Sequence, residues 1–427
     1  MAIGRVFYGW WIVGAGATLM SLMGALWFYS FGAYFVHLQA EFGWSRTMLG
    51  GAFALAQMQN GVLAPFQGWL LNKMGPRMMI HVGVFILCGG FFLFSHTNST
   101  LTFYIAVVLI ATGTSLMTFM PLGTTVMNWF DRNRAQAMGV ILTGLAVGGF
   151  FVPGIAWVLE KYGWRTMAVA SSVIVLILGT GLARIVRKEP EPYGYLPDGV
   201  LAVSMSGSTP LPLRDSEETL TGQSISSGFG TRDALKTKAF WFLSFGHAFS
   251  VLGEAGLIAH LIPHLVEKLA ITPVQAGGIM ALLTVMTIVG YLGSGYFGNM
   301  MTKHKAIAIS MLGSFVGLMV LAVADTVPLV ALGSVVFGMT LGLRLPQLIS
   351  IRADYFGRRN FPAILGFSVS IVTVGAMGGP LLAGLMADHF GTYQLAFVTV
   401  ALLAVVGAWL FYLAEDPRVT FMADDLG

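Results

Sequence analysis

Charge is what this sequence has least of. Of its 427 residues only 10% are Asp, Glu, Lys or Arg, against about 25% in a soluble domain. A water-exposed surface cannot be covered with so little charge, and 56% of the chain is hydrophobic. The chain therefore reads as an integral membrane protein. Cysteine is almost absent. Cys88 is the single one, which excludes an intramolecular disulfide and a cysteine metal cluster. The sequence contains no His-Glu-x-x-His, no glycine-rich phosphate loop and no paired membrane aspartates. An intramembrane enzyme, a metal site and a bound cofactor are thus not expected. The net charge of +4 is spread over many loops, so nucleic acid is not an expected partner either; the expected partner is the lipid bilayer. The N-terminal MAIGRVFYGWWIV leads directly into a long apolar run with no small-residue cleavage site, so it reads as a first span and not a removed signal peptide.

Long apolar runs are what the chain has in abundance. About 20 such residues cross the hydrocarbon as a helix. Twelve runs qualify: 8–36, 47–71, 77–95, 101–127, 136–160, 165–186, 239–266, 274–298, 305–324, 328–350, 362–387 and 393–414. Eighteen of the 23 lysines and arginines then fall on one side and four on the other, with Arg344 left inside a span. Positive charge stays in the cytoplasm, so both termini are expected there, in a multi-pass protein of the plasma (cell inner) membrane. One long polar segment, 187–238, is rich in proline, serine and glycine. It reads as a flexible cytoplasmic linker ending in a short helix at TRDALKTK. It separates an N-terminal six-helix bundle, 1–186, from a C-terminal one, 239–427.

The two halves repeat. Gly68-x-x-x-Asn72 matches Gly295-x-x-x-Asn299, and Pro153 matches Pro380, each shifted by 227; Gly163 matches Gly391, shifted by 228. Parallel six-helix repeats about an axis along the membrane normal form a transporter plan with the substrate between them.

The loop after span two reads Gly68-Trp-Leu-Leu-Asn72-Lys73-Met-Gly75-Pro-Arg77. It resembles the loop signature of the major facilitator superfamily, with Asn72 in place of that family's acid. Two further segments resemble the monocarboxylate porter and oxalate–formate antiporter branch. One is the tryptophan-rich Tyr8-Gly9-Trp10-Trp11 opening span one. The other is Trp129-Phe130-Asp131-Arg132-Asn133-Arg134-Ala135-Gln136-Ala137-Met138-Gly139 leading into span five, where Asn133 and Gln136 depart from the pattern. The resemblance implies an all-α membrane fold of twelve transmembrane helices in two six-helix repeats, working by alternating access, monomeric, with Gly68, Asn72, Lys73, Gly75, Arg77 and Asn299 in the gating loops. In that family the loop acid latches the halves at the start of span eleven; asparagine keeps a hydrogen bond but loses the charge. The resemblance also exposes what is missing. Span eight carries no charge, Tyr291 stands near where related carboxylate carriers place an arginine, and Phe28 falls on their span-one lysine.

A cation must then come from elsewhere, and Arg344 is the one at membrane depth. Insertion scales put such a residue at roughly +2.5–3.5 kcal/mol, so an intramembrane arginine is a functional candidate. Thr340, Arg344 and Gln347 share one helical face, as do His247, Ser250 and Glu254 in span seven and Thr284, Thr287 and Tyr291 in span eight. Thr114 and Thr118 mark span four, and Trp27, Phe28 and Tyr29 mark the middle of span one. Apolar surroundings favour a protonated carboxyl and a nearby guanidinium favours the ionised one. Glu254, with His247, is thus a proton-coupling candidate; a permanent Glu254–Arg344 pair is the structural alternative. His260 and His264 are expected to face water. The glycines at 144, 148, 149, 375, 378 and 379 read as close helix packing. The sequence thus points to secondary active transport of a small organic anion, monocarboxylate-like, by proton symport or exchange. Alternatives are a carrier or exporter of neutral or cationic compounds, as in drug efflux, and a sensor on a transporter fold.

Overall fold

The computed structural model describes residues 7–199, 230–357 and 361–418. Among them, eleven helical segments are long and apolar enough to cross a membrane. They are Tyr8–Phe42, Ala64–Ser95, Thr100–Trp129, Gln136–Tyr162, Trp164–Ala183, Lys238–Leu269, Pro273–Gly298, Lys303–Val323, Val327–Phe356, Ile364–Phe390 and Gln394–Leu413. The twelfth span, expected at 47–71, is divided. It runs through Arg46–Val62 and, after Leu63, through the start of Ala64–Ser95. That run reverses at Gly75, whose φ of 74° and ψ of 164° leave the helical region; only glycine takes this backbone without strain. Pro76 lacks the N–H that a helix start does not need. The rest of the run is span three.

Helix starts follow from local chemistry. Ser45 caps span two through the Met48 nitrogen at 3.1 Å. Ser99 and Thr102, and Thr272 and Gln275, form reciprocal capping boxes before spans four and eight. The expected short helix before span seven is Thr231–Lys236, and Thr237 then caps span seven.

Besides span two, spans one, four and five of the N-terminal half are interrupted, span five at Phe150 and Phe151 between Arg134–Gly149 and Val152–Tyr162. Span one consists of Tyr8–Met23, a wide-turn stretch Gly24–Phe28 and then Phe31–Phe42. The freed Ala25 carbonyl takes the Ser30 hydroxyl at 2.5 Å. Span four breaks at Thr118 between Thr100–Met117 and Phe119–Trp129. Such interruptions survive at membrane depth only where protein or a cavity surrounds them.

The duplication is visible in packing. Gly148 of span five meets Ser21 of span one with no room for a Cβ, and Gly375 of span eleven meets Ala248 of span seven likewise. Both members of each pair are related by the 227-residue shift. The turns after spans five and eleven use left-handed glycines, Gly163 at φ 82° and Gly391 at φ 71°. The halves meet where span two packs on eleven, five on eight and one on seven. Large apolar side chains such as Phe85, Phe92 and Leu292 stand exposed on the outside of the bundle, as a hydrocarbon solvent allows.

Residues 187–199, expected to be flexible linker, dock under the N-terminal half. The Trp129 indole donates to the Arg187 carbonyl at 2.8 Å and the Asn128 amide to that of Lys188 at 2.9 Å. The Arg187 guanidinium lies between the rings of Tyr8 and Tyr193, 4.1 and 3.9 Å from their centres. Asp198 accepts from the backbone nitrogens of Asp131, Arg132 and Asn133. A proline- and charge-rich composition concealed these contacts because backbone groups make most of them.

Candidate substrate site between the halves

Arg344 sits about 18 Å from the C-terminal end of the 30-residue helix Val327–Phe356, at 1.5 Å per residue. It is 1% exposed. Its Nη1 donates to the Ser314 hydroxyl of span nine at 2.7 Å, and Ser314 pairs with the Thr340 hydroxyl at 3.0 Å. Thr340 also reaches the carbonyls of Val336 and Phe337. This chain fixes the guanidinium plane. Nε is buried and has no hydrogen-bond partner. Eleven buried side-chain polar atoms among the described residues lack a partner, and Arg344 supplies the one guanidinium among them.

Around Arg344, the structure brings together residues from both halves. Glu254 of span seven and Tyr291 of span eight lie within its electrostatic reach, and Tyr29 of span one lies within reach of Glu254 and Tyr291. Among the described residues no ion pair within 4.0 Å joins Glu254 to Arg344, so the guanidinium is not consumed by a permanent contact. Tyr29 is held at the break in span one against Phe28, ring centres 5.1 Å apart, and Phe28 leans on Phe53 at 5.7 Å.

Other expected residues are placed differently. Gln347 turns toward span eight, its amide nitrogen on the Leu343 carbonyl at 3.1 Å and the Ser294 carbonyl at 3.5 Å, with its oxygen buried and unpaired. Thr118 spends its hydroxyl on the Thr114 carbonyl at 2.8 Å. Thr284 and Thr287 likewise bond to carbonyls of their own helix. Ser250 is buried with no partner.

Arg344 is not the lone buried cation. Arg352, two turns further along span ten, is 3% exposed, although the sequence placed it among the cytoplasmic charges. It donates to the Leu348 and Leu243 carbonyls at 2.8 and 3.3 Å, and it meets His247 Nδ1 at 3.1 Å. An arginine can only donate, so His247 Nδ1 accepts and carries no proton in this arrangement. His260 and His264, expected to face water, are buried instead. His260 Nε2 contacts the Pro380 carbonyl at 2.9 Å and His264 Nε2 the Leu321 carbonyl at 3.1 Å; each imidazole is retained by a backbone acceptor.

In the loop after span two, Asn72, Lys73 and Arg77 are exposed. The Lys73 ammonium lies 5.3 Å from the centre of the Trp69 ring. Nothing stands within 4 Å of a Cβ built on Gly68. Residues 358–360, which precede span eleven, and the Asn299 side chain lie outside the described residues.

Broken helices, a buried cation with an open valence and two packed repeats describe a membrane transporter. The Major Facilitator Superfamily model matches residues 14–252 and 243–421, so the chain belongs to that family. Among curated proteins it is similar to rat (Rattus norvegicus) monocarboxylate transporter 13, 25% identical over 408 residues that cover 94% of this chain and 88% of that one. It is also similar to monocarboxylate transporter 2 of Mesocricetus auratus, 23% identical over 425 residues, covering 95% and 83%. Among solved structures it shares its fold with a bacterial homolog of the human lysosomal transporter Spinster in an inward-facing, occupied conformation. The TM-score is 0.70 at 15% identity, covering 96% of this chain and 97% of that one.

Proposed function

We propose that this transporter carries a small organic monoanion by alternating access, with Arg344 binding the anion and Glu254 carrying a coupled proton. The observation that supports this reading most is the buried, partnerless Nε of Arg344 beside an Nη1 already fixed by Ser314. A carboxylate presents two oxygens that match the guanidinium fork, and such charge-assisted pairs are strong. Tyr29 and Tyr291, from opposite halves, would close on the same ligand. A proton on Glu254 and an anion on Arg344 enter together without net change in buried charge, which is the condition for symport through an apolar barrier. Similarity to monocarboxylate transporters over nearly the whole chain agrees with this substrate class. The same reading places both termini in the cytoplasm of a plasma-membrane monomer.

The test is uptake of labelled short-chain monocarboxylates into proteoliposomes with and without an imposed pH gradient. Accumulation driven by an acidic donor side is the expected result. No uptake of any carboxylate, or uptake by Arg344→Ala equal to the wild type, would overturn the assignment.

A further inference from the structure

The two halves are joined at one end by carboxylates that occupy equivalent places in the repeat. Asp388, in the last turn of span eleven, accepts from the backbone nitrogens of Arg46 and Thr47 at 3.0 and 2.7 Å and from the Thr47 hydroxyl at 2.6 Å. Those nitrogens open span two. Glu160, in the last turn of span five, accepts from the Val274 nitrogen at 3.4 Å, which opens span eight. In each case the carboxylate belongs to one half and the helix start to the other. Asp388 follows Glu160 by 228 residues, and Val274 follows Arg46 by 228, the shift that also relates Gly163 to Gly391. The first nitrogens of a helix lack internal acceptors and carry partial positive charge, so an anion there is held by both hydrogen bond and dipole.

The two contacts are not equal. On the Asp388 side, Arg46 also reaches Glu267 at 2.8 Å and the Ala387 carbonyl at 3.2 Å, and its guanidinium lies 5.3 Å from the centre of the Tyr393 ring. Glu160 has the single longer bond. The hydrogen bonds and ion pair named above that join the halves all lie at this end, away from the linker and the loop after span two. The charge bias of the loops makes the joined end the outer one.

We propose that this duplicated carboxylate-to-helix contact is the latch of the outer gate: both helix starts are released when the outer end opens, and Asp388 is the stronger of the two holds. The inference rests on alternating access, a property of the family's fold, and not on the identity of the substrate.

Ile262 reports the gate. It is fully buried and packs against Gly32 of span one across the two halves. Full-length protein carrying Cys88→Ser and Ile262→Cys, in lipid nanodiscs, is labelled with a maleimide. Adding Asp388→Asn should speed labelling about fivefold and Glu160→Gln about twofold, the upper and lower ends of what a helix-start charge is worth. Unchanged labelling with Asp388→Asn, or a larger effect of Glu160→Gln, would overturn the proposal. Native Cys88, buried in the N-terminal half, checks the fold: in Asp388→Asn without the other two changes it should stay unreactive. If it reacts, the chain has loosened as a whole, and Thr47→Val takes over the reading, since it removes one bond to Asp388 and no charge. Faster Ile262→Cys labelling in Thr47→Val with Cys88 still silent supports the latch; no increase overturns it.

Discussion

At the scale of the residue, Arg344 carries the argument. Arg344→Ala should abolish anion transport while the protein still inserts and runs as a single species on gel filtration. Arg344→Lys should restore little, because an ammonium lacks the planar fork; uptake rates of the three proteins decide. Glu254→Gln separates two roles. If Glu254 carries the proton, the variant exchanges substrate without a gradient but no longer concentrates it when a gradient is applied. If it served only to neutralise Arg344, its loss would leave a buried charge alone, at about 3–5 kcal/mol of destabilisation, and the variant would melt early. The absence of a direct contact between the two side chains favours the stable exchanger. Arg344 was legible in the sequence because a charge stands out in an apolar run. Arg352 was not, because four residues from a helix end looks like a loop charge until the fold covers it. Ser314 was not legible either. A serine in a membrane helix commonly bonds its own preceding turn, and Ser314 does so to Ser310 at 3.2 Å while also holding Arg344.

At the scale of the element, apolar length found the spans, and the division of span two at Leu63 is the main departure. The break in span four has a local mark, Pro121, which cannot bond the Met117 carbonyl four residues back and clashes with it. The break in span one has no proline; its freed Ala25 carbonyl is met by the Ser30 hydroxyl of the same span. Close packing of spans one on five and seven on eleven was legible from the small residues. Gly148→Leu and Gly375→Leu should each destabilise the fold by about 1–3 kcal/mol, the usual range for overpacking. Gly89→Leu, where nothing lies within 4 Å of a Cβ, should be nearly silent. Melting curves followed by fluorescence-detected gel filtration test all three.

At the scale of the whole molecule, the question is which end is shut. Asn72 lacks the charge that its position carries in the family, and it makes no hydrogen bond among the described residues. Asn72→Asp should restore the loop charge that the family carries and, if that charge latches the halves as the resemblance implies, shift the resting population toward closure of the inner end. Maleimide labelling of single cysteines at the two mouths should then rise at the outer mouth and fall at the inner; an unchanged ratio would place the inner latch elsewhere. The repeat itself was legible from offsets of 227 and 228, but the use of those offsets in the outer contacts was not. A backbone nitrogen accepts no mark in a sequence.

The unpaired Nε of Arg344 also makes the protein a detector. A ligand that binds only the folded state adds about 2.7 kcal/mol of stability when present at 100 times its Kd. Carboxylates of different size and charge can therefore be ranked by the rise in melting temperature alone, before any flux is measured. In Arg344→Ala the ranking should collapse to a flat line, which separates specific binding from a general effect of salt.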